Sequence, residues 1–166
     1  MLIRSDAPRV RGGDVVQMEK TVTALRLLGL KVDMRLMNED NNFADYDLVH
    51  LFNIQTAEES WRSCELAIAN RKPVALSPIY WDPLPGWFNS APDKRPVWRT
   101  LRRVLGYRLS FKVYHVWHHK RLQSNGIWQI QRQLLMSADV ILPNSMTEAS
   151  QLRRDFHLPP NISGRT

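Results

Sequence analysis

The sequence predicts an α/β domain: three layers around a mostly parallel sheet, with a basic helical insertion at about 80–125. Three observations carry that prediction. Strand-length apolar runs alternate with helical patterns as strand–helix–strand, twice, between Leu2 and Ser77, which is the signature of parallel pairing with helices on both faces. The stretches Asp47–Asn53 and Pro73–Ser77 are continuous apolar runs, as strands buried on both faces are. The chain has 166 residues, 43% hydrophobic and 23% charged, a length for one domain and a composition that excludes disorder, collagen and coiled coil.

Leu2 to Arg4 reads as the end of a short first strand. Val15, Met18, Val22, Leu25 and Leu28 then recur at three- and four-residue spacing, which predicts an amphipathic helix, with Gly29 as its left-handed stop. Lys31 to Leu36 alternates, with Val32, Met34 and Leu36 on one face, and predicts a half-buried strand. After a polar loop comes the central strand Asp47–Asn53. Thr56 and Glu59 form a capping-box pattern opening a helix with Ala57, Trp61, Cys64 and Ile68 on its apolar stripe, closed by Asn70. Pro73–Ser77 is the next strand.

Pro78 to Pro96 holds five of the ten prolines and breaks the alternation. Val97 to about Leu122 predicts one or two basic helices, broken at Gly106. Ser124–Asn125–Gly126 reads as a turn, Ile127 to Ser137 as a helix and Val140–Leu142 as a brief strand. Ser145 and Glu148 repeat the capping box before a last helix through Phe156, stopped by Pro159–Pro160.

The net charge of +7 is unevenly spread. Between Lys94 and Ala138 there is no Asp or Glu but there are ten basic residues, which leaves 13 basic against 16 acidic elsewhere, a balance of −3. One segment therefore sets the basicity and seeks phosphates, whether of lipid, nucleic acid or substrate. A single cysteine, Cys64, excludes an internal disulfide framework. The first residues lack a signal-peptide core, and no window approaches a membrane span. The expected setting is a reducing compartment, the cytoplasm.

Four local patterns share an order and a spacing. Gly12–Gly13 lies between the first strand and the long helix. Tyr46–Asp47–Leu48–Val49–His50 and Lys72–Pro73–Val74–Ala75–Leu76–Ser77 form the next two strands. Ser137–Ala138–Asp139–Val140–Ile141–Leu142–Pro143–Asn144–Ser145 leads to Glu148 and Leu152. Together, over nearly the whole chain, they resemble the N-terminal domain of a GT-B glycosyltransferase of the family 4 kind. That resemblance implies a single Rossmann-like domain that holds the acceptor of a hexosyltransferase. It implies that this chain binds no cofactor and that a separate C-terminal domain, or subunit, holds the nucleotide-sugar donor. Nothing in the sequence resembles that domain's paired-glutamate motif. The expectation is half an enzyme, inactive alone: a fragment, a truncated frame, or one subunit of a split transferase.

The resemblance places Gly12, Gly13, Asp14, His50, Asn53, Ser77, Tyr80, Asn144, Ser145 and Glu148 at the acceptor or donor-phosphate cleft. Glycines let backbone N–H groups approach an anion at a helix start. A plain turn with Asp14 as cap is the alternative. His50, read as ending its strand at the sheet edge, is either a cleft residue or a core histidine bonded to a backbone carbonyl. Asn53 reads as a hydroxyl binder. Where many family members carry a histidine, this sequence has Ser77–Pro78–Ile79–Tyr80–Trp81, so no catalytic residue is assigned. Ser145 and Glu148 are equally explained by capping alone.

Ten of the 15 aromatic residues lie between Tyr80 and Trp128, among the positive charge. Leu101, Leu105, Tyr107, Leu109, Phe111, Tyr114 and Trp117 form one candidate apolar face. Arg99, Arg102, Arg103, Arg108, Lys112, Trp117, Lys120 and Arg121 are the candidate contacts to an anionic membrane or other anion. That is the profile of a helix lying on a membrane surface, which suits a lipid-linked acceptor and a peripheral position on the inner face. A solvated basic face over a buried aromatic stripe is the alternative. Trp81 and Trp87 either stack on a sugar, dip into a membrane or plug their loop onto the core. His115, His118 and His119 lack acidic or thiolate companions, so no metal is expected. Two further functions stay open: a non-catalytic docking or partner subunit of a split glycosyltransferase, and a nucleic-acid binder, for which no known module is present.

Overall fold

The computed structural model describes residues 1–82, 84–124 and 126–159, and within these the side chains of 92–94 and 119–123 fall outside the description. The predicted turn residue Asn125 and the stop residue Pro160 lie outside the described residues. The chain divides into two compact units: residues 1–80 with the stretch from Ile130 onward, and residues 81–129.

The first unit is built on five strands: β1 (Leu2–Ile3), β2 (Arg35–Leu36), β3 (Val49–Phe52), β4 (Val74–Ser77) and β5 (Val140–Ile141). Their order is β2-β1-β3-β4-β5 and every pairing is parallel. β3 and β4 pair over their full length, from Val49↔Val74 to Phe52↔Ser77. All eight of their residues are buried, which is why both read as unbroken apolar runs. The edge strand β2 is shorter than the alternation from Lys31 predicts: only Arg35 and Leu36 join the ladder, and Met34 is exposed.

Helix α1 (Gly13–Leu27) connects β1 to β2, and α2 (Ala57–Ala69) connects β3 to β4. These crossovers leave the centre in opposite directions, so the right-handed rule sets α1 and α2 on opposite faces of the sheet. On one face Val15, Met18 and Val22 of α1 form a buried cluster with Ile3, Ala7 and Phe52. Burying side chains such as Met18 and Val22 stabilises by about 1.5–3 kcal/mol each. The predicted stripe does not run on: Leu28 is exposed, because the helix ends before it. Gly29, at φ 85°, closes α1 as expected, with Leu30 N–H donating to the Leu25 carbonyl (3.1 Å) and Gly29 N–H to that of Arg26 (3.0 Å).

The second unit holds α3 (Leu84–Lys94) and α4 (Pro96–Gln123), with α5 (Gly126–Ser137) and α6 (Met146–Phe156) following in the chain. Helix α3 falls within the predicted helical insertion, but no local pattern specified it, since its sequence LPGWFNSAPDK carries two prolines and a glycine. Aromatic packing explains it. Phe88 is fully buried, with ring centres 5.3 Å from Tyr107, 5.3 Å from Phe111 and 5.1 Å from Tyr114. The break in α4 falls at Gly106 as predicted, at φ 70° and ψ 173°. The buried Ser110 hydroxyl spans the break, within hydrogen-bond distance of the carbonyls of Leu101 (2.9 Å) and Gly106 (2.6 Å). Among the described residues no helix is long and apolar enough to cross a membrane.

Candidate functional site

In a parallel sheet of order β2-β1-β3-β4-β5, the connections leaving β1 and β3 diverge. A crevice opens beyond the C-terminal ends of those two strands, and this is where open α/β sheets take their ligands. The residues following β1 and β3 therefore define the candidate site.

Arg4 follows β1 and turns inward. Its Nε donates to Asp14 Oδ2 (2.6 Å) and its Nη2 to Asp14 Oδ1 (3.3 Å), and it also reaches the Asp6 carboxylate and the Val10 carbonyl. Asn53, after β3, donates through Nδ2 to Asp14 Oδ2 (3.1 Å). Burial alone would raise the Asp14 pKa. The hydrogen bond from Arg4, then those from Asn53 and the Val15 N–H, outweigh it and hold the carboxyl below its ordinary value. The Asp14 hydrogen bond likewise raises the Arg4 guanidinium. Asn53 adopts φ 78°, a conformation asparagine tolerates, and its Oδ1 accepts from the Gln55 N–H at 2.6 Å.

The two glycines play different parts. A Cβ on Gly12 would lie 2.6 Å from Asp14 Oδ1 and 3.2 Å from Arg4 Nη2, so glycine there makes room for the ion pair. A Cβ on Gly13 would meet nothing within 4 Å. Gly13 is exposed at the start of α1, whose N-cap residue Gly12 offers no side-chain hydrogen bond. Asp14 lies inside the first turn rather than at the N-cap position, and its carboxylate accepts from the Val15 N–H (3.0 Å) as well as from Arg4 and Asn53.

A second cluster sits at the start of α6. Ser145 Oγ accepts from the Glu148 N–H (3.1 Å). The buried Glu148 carboxylate accepts from the N–H of Asn144 (2.6 Å) and of Tyr80 (2.6 Å). The Tyr80 hydroxyl donates to Asp155 (3.0 Å), and its ring lies 5.3 Å from Phe156. Gln17 of α1 donates to Asn144 Oδ1, which ties the first cluster to the second.

Three placements differ from expectation. His50 is the second residue of β3, not its end, and is buried. Its Nε2 faces the buried Ser77 hydroxyl at 2.9 Å, rather than a backbone carbonyl. Burial, and then the charge of the chain's amino terminus, push its pKa down to about 4, so the ring is neutral at pH 7. Tyr80 turns onto α6, and Glu148 is spent on backbone donors. Of the ten predicted cleft residues, Gly13, Asn144 and Ser145 are exposed at the strand ends.

Three residues that hold this region together were not singled out as site residues from the sequence: Arg4, Gln17 and Glu59. Glu59 takes the N–H (3.0 Å) and the hydroxyl of Ser5 instead of closing a capping box, and Thr56 makes no cap. A pocket of about 240 Å³ beside the 7–11 loop was also unforeseen. Ile3, Val15, Met18 and Leu36 floor it, and the Arg11–Glu19 ion pair (2.6 Å) stands at its rim.

No family model, no curated protein and no solved structure matches this chain.

In the second unit, Arg99, Arg103, Arg108 and Lys112 are exposed. Arg102 instead lies over the rings of Phe88 (4.6 Å) and Tyr107 (5.0 Å). The side chains of Lys120 and Arg121 lie outside the described ones. The predicted apolar face divides. Leu101, Phe111 and Tyr114 pack inward, while Leu105, Tyr107, Leu109 and Trp117 are exposed. Trp81 and Trp87 are exposed as well, so neither plugs its loop onto a core. Among the described residues no group of three His, Cys, Asp or Glu is placed to hold a metal.

Proposed function

We propose that the first unit is the acceptor-binding domain of a GT-B glycosyltransferase, acting with a nucleotide-sugar held by another domain or subunit. The observation that supports this reading is convergence. The Gly12–Asp14, Asn53 and Asn144–Ser145 segments, scattered through the sequence, meet at the C-terminal edge of a parallel sheet, around its switch point.

Each residue then has a physical part. The Arg4–Asp14–Asn53 cluster holds the loops after β1 and β3 in register with the start of α1. Gly13 leaves the first turn of α1 open, so that its backbone N–H groups and dipole favour the diphosphate of a donor. The exposed Asn144 amide and Ser145 hydroxyl suit the hydroxyls of a sugar acceptor. Catalysis in this scheme is positioning of the acceptor hydroxyl against the donor, with the leaving diphosphate stabilised electrostatically. His50, neutral and enclosed, supplies no base.

The test is amide NMR of the purified chain titrated with uridine diphosphate and with a panel of hexoses. Shifts should map to Gly13, Asn53, Asn144 and Ser145. Gly13→Ala keeps the backbone N–H but sets a methyl group in the approach to it, so it should weaken diphosphate binding about tenfold, while the melting temperature stays level or rises slightly because a Cβ there meets nothing. Shifts confined to other residues, or sugar transfer by these 166 residues alone, would overturn the assignment.

A further inference from the structure

Helix α4 carries apolar residues on two sides, and only one side is covered. Beyond the break at Gly106, Ser110 and Tyr114 face inward, Tyr114 within the cluster formed with Phe88 and Trp98. Leu109, Lys112, Val113 and Val116 follow one another at helical spacing on another face, and all four are exposed. Val104 is 74% exposed and Leu105 40% at the break itself, between Arg103 and Arg108. A stripe of this kind in water is an interaction surface rather than a solvated face.

Charge and side-chain type together select the occupant. Arg103, Arg108 and Lys112 are exposed among these apolar residues, and the sequence from Arg95 to Ala138 contains no acidic residue to oppose them. The partner is therefore anionic. Single-stranded nucleic acid is bound by stacking bases on aromatic rings. The stripe and the break present mainly valines and leucines, which offer no stacking platform but do enter the boundary between headgroups and acyl chains. The two exposed rings beside them already have partners, Tyr107 against Phe111 and Arg102, and Trp117 against Trp98 and His118. We infer that the second unit docks on an anionic phospholipid surface, seating Val104, Leu105, Leu109, Val113 and Val116 in the interface with Arg103, Arg108 and Lys112 on the headgroups. The inference rests on the second unit alone, so its fate is separate from the assignment of the first.

The test is co-sedimentation of the full chain with vesicles of phosphatidylcholine, with and without about one-third phosphatidylglycerol, at low and high salt. Binding should require the anionic lipid and weaken with salt. Each cation near such a surface contributes roughly fivefold, so Arg103→Gln, Arg108→Gln and Lys112→Gln combined should weaken partitioning on the order of 100-fold. Leu109→Ser with Val113→Ser should weaken it too, without moving the circular-dichroism melt, because both positions are exposed. Equal binding to neutral vesicles, no binding at all, or indifference to both sets of substitutions would overturn the inference. So would tighter binding to single-stranded RNA than to vesicles, or self-association that the serine pair abolishes.

Discussion

Helices α2 and α6 open with the same signature, a hydroxyl residue followed three positions later by glutamate, and they use it differently. At α6 the hydroxyl of Ser145 caps the Glu148 N–H. At α2 the Thr56 hydroxyl is buried and makes no hydrogen bond. The glutamates agree in a way the signature does not announce. Glu148 reaches the loop after β4 at Tyr80, and Glu59 reaches the loop after β1 at Ser5. In α1, Asp14 does the same for Arg4 and Asn53. The acid in a first turn here works less as a cap than as a tie between a helix start and a loop at the sheet edge.

The largest break should come from Asp14→Ala. It leaves the buried Arg4 with only the part-exposed Asp6 carboxylate and the Val10 carbonyl as partners and frees Asn53 Nδ2, and it should cost about 2–3 kcal/mol in chemical denaturation. The same contribution should fade in acid as pH falls through the lowered pKa of Asp14, because a folded-state pKa below the unfolded value gives stability present only at higher pH.

The glutamates come next. Glu148→Gln sets an amide donor against one of two backbone donors and should cost about 2–3 kcal/mol. Glu59→Gln, at a half-buried site with Ser5 as its partner, should cost about 1 kcal/mol by the same assay. Equal losses would show that the two ties are not graded by burial.

The hydroxyls give the smallest and most discriminating pair. Ser145→Ala should destabilise by about 1 kcal/mol. Thr56→Val should leave stability unchanged or raise it by up to about 1 kcal/mol, because the hydroxyl it removes has no partner. A loss at Thr56 matching that at Ser145 would erase the distinction.

The sheet was legible because β3 and β4 are enclosed on both faces, a condition that writes itself as consecutive apolar residues. The break at Gly106 was legible because glycine interrupts an otherwise helical pattern. Helix α3 was not legible. Pro85, Gly86 and Pro92 argue locally for loop, and only the rings that α4 brings around Phe88 reverse that preference. At the site, the glycines and Asn53 were visible as residue types, but their division of labour was not. Gly12 answers to the Asp14 carboxylate and, less closely, to the Arg4 guanidinium, and the sequence shows Arg4 only as the end of a short strand, with its partner carboxylate ten positions away.

The burial of His50 has a calorimetric consequence. A histidine in an unfolded chain titrates near 6.5, whereas the sheet holds His50 to about 4. The stability this contributes is complete above the unfolded value and drains away as pH falls toward the folded one. Between those limits, melting the first unit draws close to one proton from the buffer for this ring. The heat absorbed then includes the ionisation enthalpy of whichever buffer supplies that proton. Two scans at one pH, in buffers of different ionisation enthalpy, will differ by that amount although the protein is the same.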